Sequence, residues 1–337
     1  MVQDVEVTVV GSAGCKCEEF NNSAQVQTDY TENMMQETCV TVTWMRLLCK
    51  LYAFTGEKHY AEQIEISARN ALYGSLNYHG LQQYAIEQKD WLKIPLPFDS
   101  YSPLVNHRRG RATGGLKFYT DGFFYGCCAC IAAAGIAIYP LYAVMQAEDG
   151  ICVNALLEGT VSTVLSGDKV FTLRAVGDLL YSKKMKLTLC TEEKEGTKVR
   201  IRIPAWCDRL IAESNEATVK EEAGELVILV PSGGEITVGL SAEFSLRKIE
   251  RNGKTAFQYG PLILARDAIK EGVSDLMENL SLKNDGEIVL LTPREEEQLR
   301  LLLKKEDGSD LLLTDYASCG GEWTREDAKV SVWLDII

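Results

Sequence analysis

Two cysteines stand side by side in the run Phe123-Phe124-Tyr125-Gly126-Cys127-Cys128-Ala129-Cys130, and far upstream Glu37-Thr38-Cys39 sets a carboxylate one residue from a third thiol. Thiolates and carboxylates are the donors that Zn²⁺ accepts in a four-ligand tetrahedron. Four anionic donors would leave a charge of about −2 on such a site, so the backbone around it matters. Both stretches open predicted helices, and a helix N-terminus offers unpaired N–H groups and a partial positive charge. These stabilise a thiolate by up to about 1 kcal/mol. Cys130 and the Cys15-x-Cys17 pair carry the same chemistry and compete as ligands on spacing alone. A Cys-Cys pair at the head of an apolar helix can also serve simply as small packing residues.

Other titratable groups are sparse. Glu18-Glu19-Phe20 puts two carboxylates beside an aromatic ring, an arrangement that by itself reads as two solvated surface acids. Of three histidines, His59 and His79 fall on or just after a predicted surface helix. His107 lies in a long connection with Tyr101, Arg108 and Arg109, residues that could line a polar pocket or simply face solvent.

The elements that must position these groups follow from periodicity. Over 38–55, Val40, Trp44, Leu47, Leu48, Leu51, Tyr52 and Phe54 recur at helical spacing, and Gly56 is a good stop. A second helix over 58–76, with Tyr60, Ile64, Ala68, Ala71 and Leu72 on one face, makes a hairpin with the first. Upstream, a strand at 5–10 leads into an irregular polar segment. Between 77 and 121, prolines and glycines mark a long loop, and loops of that length in compact domains are usually functional.

An apolar helix over 129–145 follows, kinked or ended near Pro140. The stretch 122–147 has no charged residue and is long enough to span a bilayer. Pro140, Gly122, Gly126 and the cysteines, with no basic flank, favour a helix buried in protein instead. Beyond Asp149 the pattern changes to β-rich runs at 151–156, 170–175, 186–190, 199–203, 226–230, 236–240 and 256–259, separated by Gly, Asn, Asp and Pro. That is the pattern of an antiparallel sandwich. A more acidic tail holds a predicted helix over 293–305 and a last strand over 330–334. The resulting domains are 1–147, helical; 148–268, a β-sandwich; and 269–337, β-rich with one helix.

A chain of 337 residues with 46% hydrophobic and 25% charged residues has enough apolar material for sizeable cores. Its formal charge of −13 repels phosphate backbones and anionic membranes, which argues against nucleic acid or membrane partners and is compatible with a neutral sugar. Eleven cysteines in a chain of this length do not resemble a disulfide framework. The first residues lack the basic start and apolar run of a secretory signal, so a cytoplasmic protein is expected.

Four motifs occur in a telling order: Glu37-Thr38-Cys39; Cys127-Cys128 before an apolar helix containing Gly135; Val199-Arg200-Ile201-Arg202-Ile203-Pro204-Ala205-Trp206; and Tyr259-Gly260-Pro261-Leu262-Ile263-Leu264-Ala265. Over residues 18–334 the sequence resembles glycoside hydrolase family 127, the β-L-arabinofuranosidases. The resemblance implies an α+β multidomain protein, with a partial (α/α)6 toroid of helical hairpins followed by antiparallel β-sandwich domains. It also implies a zinc ion held by Glu37, Cys39, Cys127 and Cys128, with Cys127 doubling as the nucleophile of a retaining glycosidase. The family's acid/base glutamate lies in a Gly-Glu-x-Phe context. Cys17-Glu18-Glu19-Phe20 is similar, which points to Glu18, with Glu19 one residue away. Tyr101 and His107 would then contact the furanose of an oligosaccharide or glycoside substrate. A partial toroid would leave apolar helix faces open and favour a homo-oligomer. The alternative is a catalytically inactive, carbohydrate-associated protein with a structural zinc site.

Overall fold

The computed structural model describes residues 15–16, 34–75, 101–103, 107–108, 117–118, 124–125, 127–251, 253–276, 279–283, 287–320 and 327–337. The strand expected at 5–10 lies outside them. Strand β1 (Cys15–Lys16) pairs with β2 (Met34–Glu37), which runs straight into helix α1 (Thr38–Thr55). Helix α2 (Lys58–Ser67) continues as a π-helical turn, Ala68–Leu72. The short strands β3 (Tyr101–Pro103), β4 (His107–Arg108), β5 (Lys117–Phe118) and β6 (Phe124–Tyr125) precede helix α3 (Cys127–Ala143).

Both long helices form where the periodicity places them, but α1 is rotated from its expected face. Thr38, Thr41, Val42, Met45, Leu48 and Tyr52 are buried, whereas Leu47 and Phe54 are 47% and 89% exposed. Apolar residues surround this helix, so periodicity alone does not choose which stripe turns inward. In α3 the buried residues Ala132, Gly135, Tyr139 and Tyr142 follow the helical repeat, and Pro140 lies on the exposed side. The carbonyl that Pro140 leaves without its helical donor can therefore meet water. No described helix is long and apolar enough to cross a membrane.

The chain divides into two compact units, one of Met1–Lys50, Gln63–Ile136 and Leu246–Ile337, the other of Leu51–Glu62 and Ala137–Ser245. The second unit contains ten strands: β7 (Val144–Ala147), β8 (Gly150–Val153), β9 (Gly159–Val164), β10 (Val170–Asp178), β11 (Lys184–Thr191), β12 (Thr197–Arg202), β13 (Arg209–Glu213), β14 (Val219–Glu222), β15 (Glu225–Val230) and β16 (Glu235–Glu243). They form two five-stranded sheets, ordered β13-β16-β11-β10-β9 and β14-β15-β12-β8-β7, antiparallel throughout except for the parallel pair β8–β12. Burial alternates along the strands. Met185, Leu187 and Leu189 point inward from β11, Ile236, Val238 and Leu240 from β16, and Leu226, Ile228 and Val230 from β15. Burying each such side chain is worth about 1.5–3 kcal/mol. The sheets are also joined by a 2.6 Å hydrogen bond between the Thr191 and Thr197 hydroxyls. This is the sandwich that the runs between 151 and 240 predict, whereas the run at 256–259 falls in the other unit.

A buried polar knot fastens helix ends to this sandwich. Arg202, whose side chain is 2% exposed, donates Nη1 to Glu62 Oε2 at 2.5 Å and Nε to the Asn154 carbonyl at 2.7 Å. Glu62 Oε2 also accepts from the Ala205 N–H at 3.1 Å. The Asn154 side chain accepts from the Tyr52 hydroxyl at 2.7 Å and donates to the Tyr142 carbonyl at 3.0 Å. Thus Arg202, one residue of the Val199–Trp206 motif, meets the C-terminal parts of α1 and α3 through Asn154 and the first turns of α2 through Glu62.

In the first unit, β17 (Leu246–Arg251), β18 (Lys254–Tyr259), β19 (Leu262–Asp267), β20 (Ile288–Leu291), β21 (Arg300–Lys304) and β22 (Asp310–Asp315) form a sheet in the order β17-β18-β19-β22-β21-β20. Strand β23 (Lys329–Ser331) joins β19 to β4, and a short helix α4 (Ala268–Glu271) follows β19. All six residues of β19 are buried. The Tyr259–Ala265 motif turns at Gly260, whose φ of 58° lies in the left-handed region that glycine tolerates. That turn is held by Asn70 of the π-helical segment. Its amide donates to the Pro261 carbonyl at 2.8 Å and accepts from the Ile263 N–H at 2.7 Å. The helix predicted over 293–305 is instead a turn followed by β21. Leu299, Leu301 and Leu303 are buried at alternate positions, a strand repeat hidden inside a leucine-rich run.

Arg202→Leu takes from the buried Glu62 carboxylate the guanidinium that bonds it and should cost roughly 3–5 kcal/mol. Replacing both residues by leucine should cost less than either single change, as read by urea denaturation. Burial, with the neighbouring Cys152 and Glu225 charges, pushes the Tyr52 phenol up to about 12, against about 10 in an unfolded chain. The stability that Tyr52 contributes is therefore full below about pH 10 and lost as pH rises towards about 12. The stability difference between wild type and Tyr52→Phe should shrink across that window.

Candidate functional site

Thr38 and Cys39 are the first two residues of α1, and Cys127 and Cys128 the first two of α3. Glu37 is the last residue of β2, and its backbone is paired with Tyr101 of β3. His107, in β4, pairs with Val330. Cys15, in β1, pairs with Met35, two residues before Glu37. Glu18 and Glu19 lie outside the described residues, as do the side chains of Glu37, Tyr101, His107, Cys127 and Cys128. Thr38 is buried and Cys39 half-buried.

The two helix starts face the same way. Val42, one turn into α1, meets α3 at Gly135, where an added Cβ would stand 2.6 Å from Val42 Cγ2. Farther along both helices, the Tyr52 ring lies edge-on to the Tyr142 ring, with centroids 5.7 Å apart and planes at 77°. Contacts that advance together along two helices mean that the helices run in the same direction, so their N-termini share one end. At 1.5 Å per residue, Cys128 lies about 10 Å back from the Val42–Gly135 contact. Thr38 lies about 6 Å back, and Glu37, one extended residue earlier, about 9 Å. The backbones of the two candidate ligand stretches therefore reach similar heights on neighbouring helices.

Among the described residues, no group of three or more His, Cys, Asp or Glu is arranged to hold a metal. A zinc centre would have to include donors outside that set. Burial pushes the Cys49 thiol, on the same helix as Cys39, up to about 11, which makes it a poor nucleophile near neutral pH. Sequence reasoning missed the pairing of Glu37 with Tyr101 and the anchoring role of Asn70. The first has no local signal. The second has a weak one, a lone amide between Ala68 and Ala71 on an otherwise apolar face.

No protein-family model matches this sequence, and no curated protein matches it in sequence comparison. Solved structures do. A GH127 β-L-arabinofuranosidase from Geobacillus stearothermophilus T6 superposes with a TM-score of 0.71 at 15% identity, over 98% of this chain and 54% of its own. A second GH127 β-arabinofuranosidase gives 0.68 at 16% identity, over 92% of this chain and 51% of its own. A structure described as a glycoside hydrolase gives 0.66 at 17% identity, over 90% and 53%. The chain thus has the fold of these enzymes over most of its length and spans about half of theirs. Alkylation with iodoacetamide at pH 8 should leave Cys49 unmodified in the folded protein and label it only on unfolding, as read by peptide mass spectrometry.

Proposed function

With that shared fold as the premise, we propose that this chain carries the zinc–thiolate core of a retaining glycosidase acting on β-L-arabinofuranosides. The observation that carries the reading is the common orientation of α1 and α3, whose starts bear Glu37-x-Cys39 and Cys127-Cys128. One carboxylate and three thiols are a donor set that suits Zn²⁺. Glu37, Cys39, Cys127 and Cys128 would hold it. In this reading α1, α2 and α3 belong to an (α/α)6 toroid of which the chain contains a part.

Bound zinc would keep a coordinated cysteine as thiolate at neutral pH. Cys127 Sγ attacks the anomeric carbon while Glu18 donates its proton to the departing glycosidic oxygen, giving a thioglycoside. Glu18, now a carboxylate, takes a proton from water, whose oxygen displaces the Cys127 sulfur and releases the sugar with its configuration retained. Tyr101, in β3 beside Glu37, and His107, in β4, are assigned to sugar contacts. A reducing compartment is part of this reading, because the nucleophile must remain a thiolate. So is self-association, supported by the exposure of Leu47, Phe54, Ile136 and Leu141 on α1 and α3.

A second reading is favoured by one fact, that the chain spans about half the length of the enzymes it resembles. It would then be a carbohydrate-associated protein with a structural zinc and no turnover. Elemental analysis of the purified chain and hydrolysis of 4-nitrophenyl β-L-arabinofuranoside separate the two. The first reading expects bound zinc and turnover that falls roughly a thousand-fold or more in both Cys127→Ser and Glu18→Gln, with zinc retained in Glu18→Gln. A metal-free, inactive wild-type protein overturns it. Zinc with sugar binding but no turnover, unchanged in Glu18→Gln, supports the second.

A further inference from the structure

We infer that Gly135 sets the spacing between α1 and α3, and is thereby a positioning residue for the zinc centre proposed above, on which reading the inference rests. Helix α3 is rich in alanine, with Ala129, Ala132, Ala133, Ala134 and Ala137 around the single interior glycine. Glycine is unfavourable in a helix interior relative to alanine, so its buried position calls for a packing reason. The packing around it supplies one. A Cβ at 135 would stand 2.6 Å from Val42 Cγ2, 3.0 Å from Leu72 Cδ1 and 3.2 Å from Leu72 Cδ2.

Neither neighbour can step aside. Val42 and Leu72 are both 0% exposed, and a valine in a helix is confined to one strongly preferred rotamer. Leu72 ends the π-helical turn, which Asn70 ties to Pro261 and Ile263 by hydrogen bonds of 2.8 and 2.7 Å. An alanine at 135 must therefore push α3 away from α1. A helix transmits such a shift as a rigid body, so the start of α3 moves with it, carrying Cys127 and Cys128 away from Glu37 and Cys39. Zinc–ligand distances tolerate only about ±0.2 Å, less than the displacement needed to relieve the Val42 contact.

The test uses four proteins: wild type, Gly135→Ala, Val42→Ala and the double variant. Zinc affinity is read by competition with a chromophoric chelator, and the fold by circular dichroism and thermal melting of the chelator-treated chains. Gly135→Ala should bind zinc at least tenfold more weakly with its secondary structure intact. Val42→Ala, which removes the methyl group that the new Cβ would meet, should restore most of that affinity in the double variant and change little alone. Wild-type-like zinc affinity in folded Gly135→Ala overturns the spacing role and leaves the zinc reading standing. A wild-type chain that binds no zinc overturns both. If Gly135→Ala fails to fold, the double variant decides: restored folding without restored zinc affinity overturns the inference.

Discussion

A buried guanidinium fixes much of this architecture. Arg202 leaves water on folding, and Glu62 and the Asn154 carbonyl receive donors of its guanidinium, which offsets the cost of burying the charge. Hydrogen bonds have direction where apolar contacts have almost none. Val199 and Ile201, on the opposite face of the strand from Arg202, would fill the sandwich interior with the helices in several arrangements. The Arg202–Glu62–Asn154–Tyr52 chain of bonds permits one.

The sandwich was legible in the sequence because its strands alternate cleanly. The runs around Leu173, Leu187, Val199, Ile228 and Val238 all became strands. Strands β9 and β13 were not legible. Thr160, Ser162 and Thr163 in β9, for example, show no apolar alternation to read, and the strand is held by its backbone ladder with β10 and by hydroxyl contacts such as Ser162 with Thr172. The stretch around Leu299, Leu301 and Leu303 misled for the opposite reason. Leucines every second residue, with more between them, satisfy a helical and a strand repeat together, and the acidic run before them resembles a helix start. Only pairing with β20 and β22 decides the matter.

At the candidate site, the residue types and the helix starts could be read, since Glu37-x-Cys39 and Cys127-Cys128 stand at the changes of period. Their common end could not. It depends on Val42 against Gly135 and Tyr52 against Tyr142, contacts between positions far apart in sequence. The likeness to GH127 structures at 15–16% identity fits that division. A fold survives wide substitution as long as size and pattern persist, whereas chemistry resides in particular side chains.

The junction after Ala143 has a mechanical corollary. Helix α3 ends at Ala143 and β7 begins at Val144 with no loop between them, and β7 is bonded to β8 along all four of its residues. Spinning α3 about its own axis would wring that strand out of its ladder, so the sheet serves as a torsional brace. The last turn of α3 and the edge strand therefore turn as one piece.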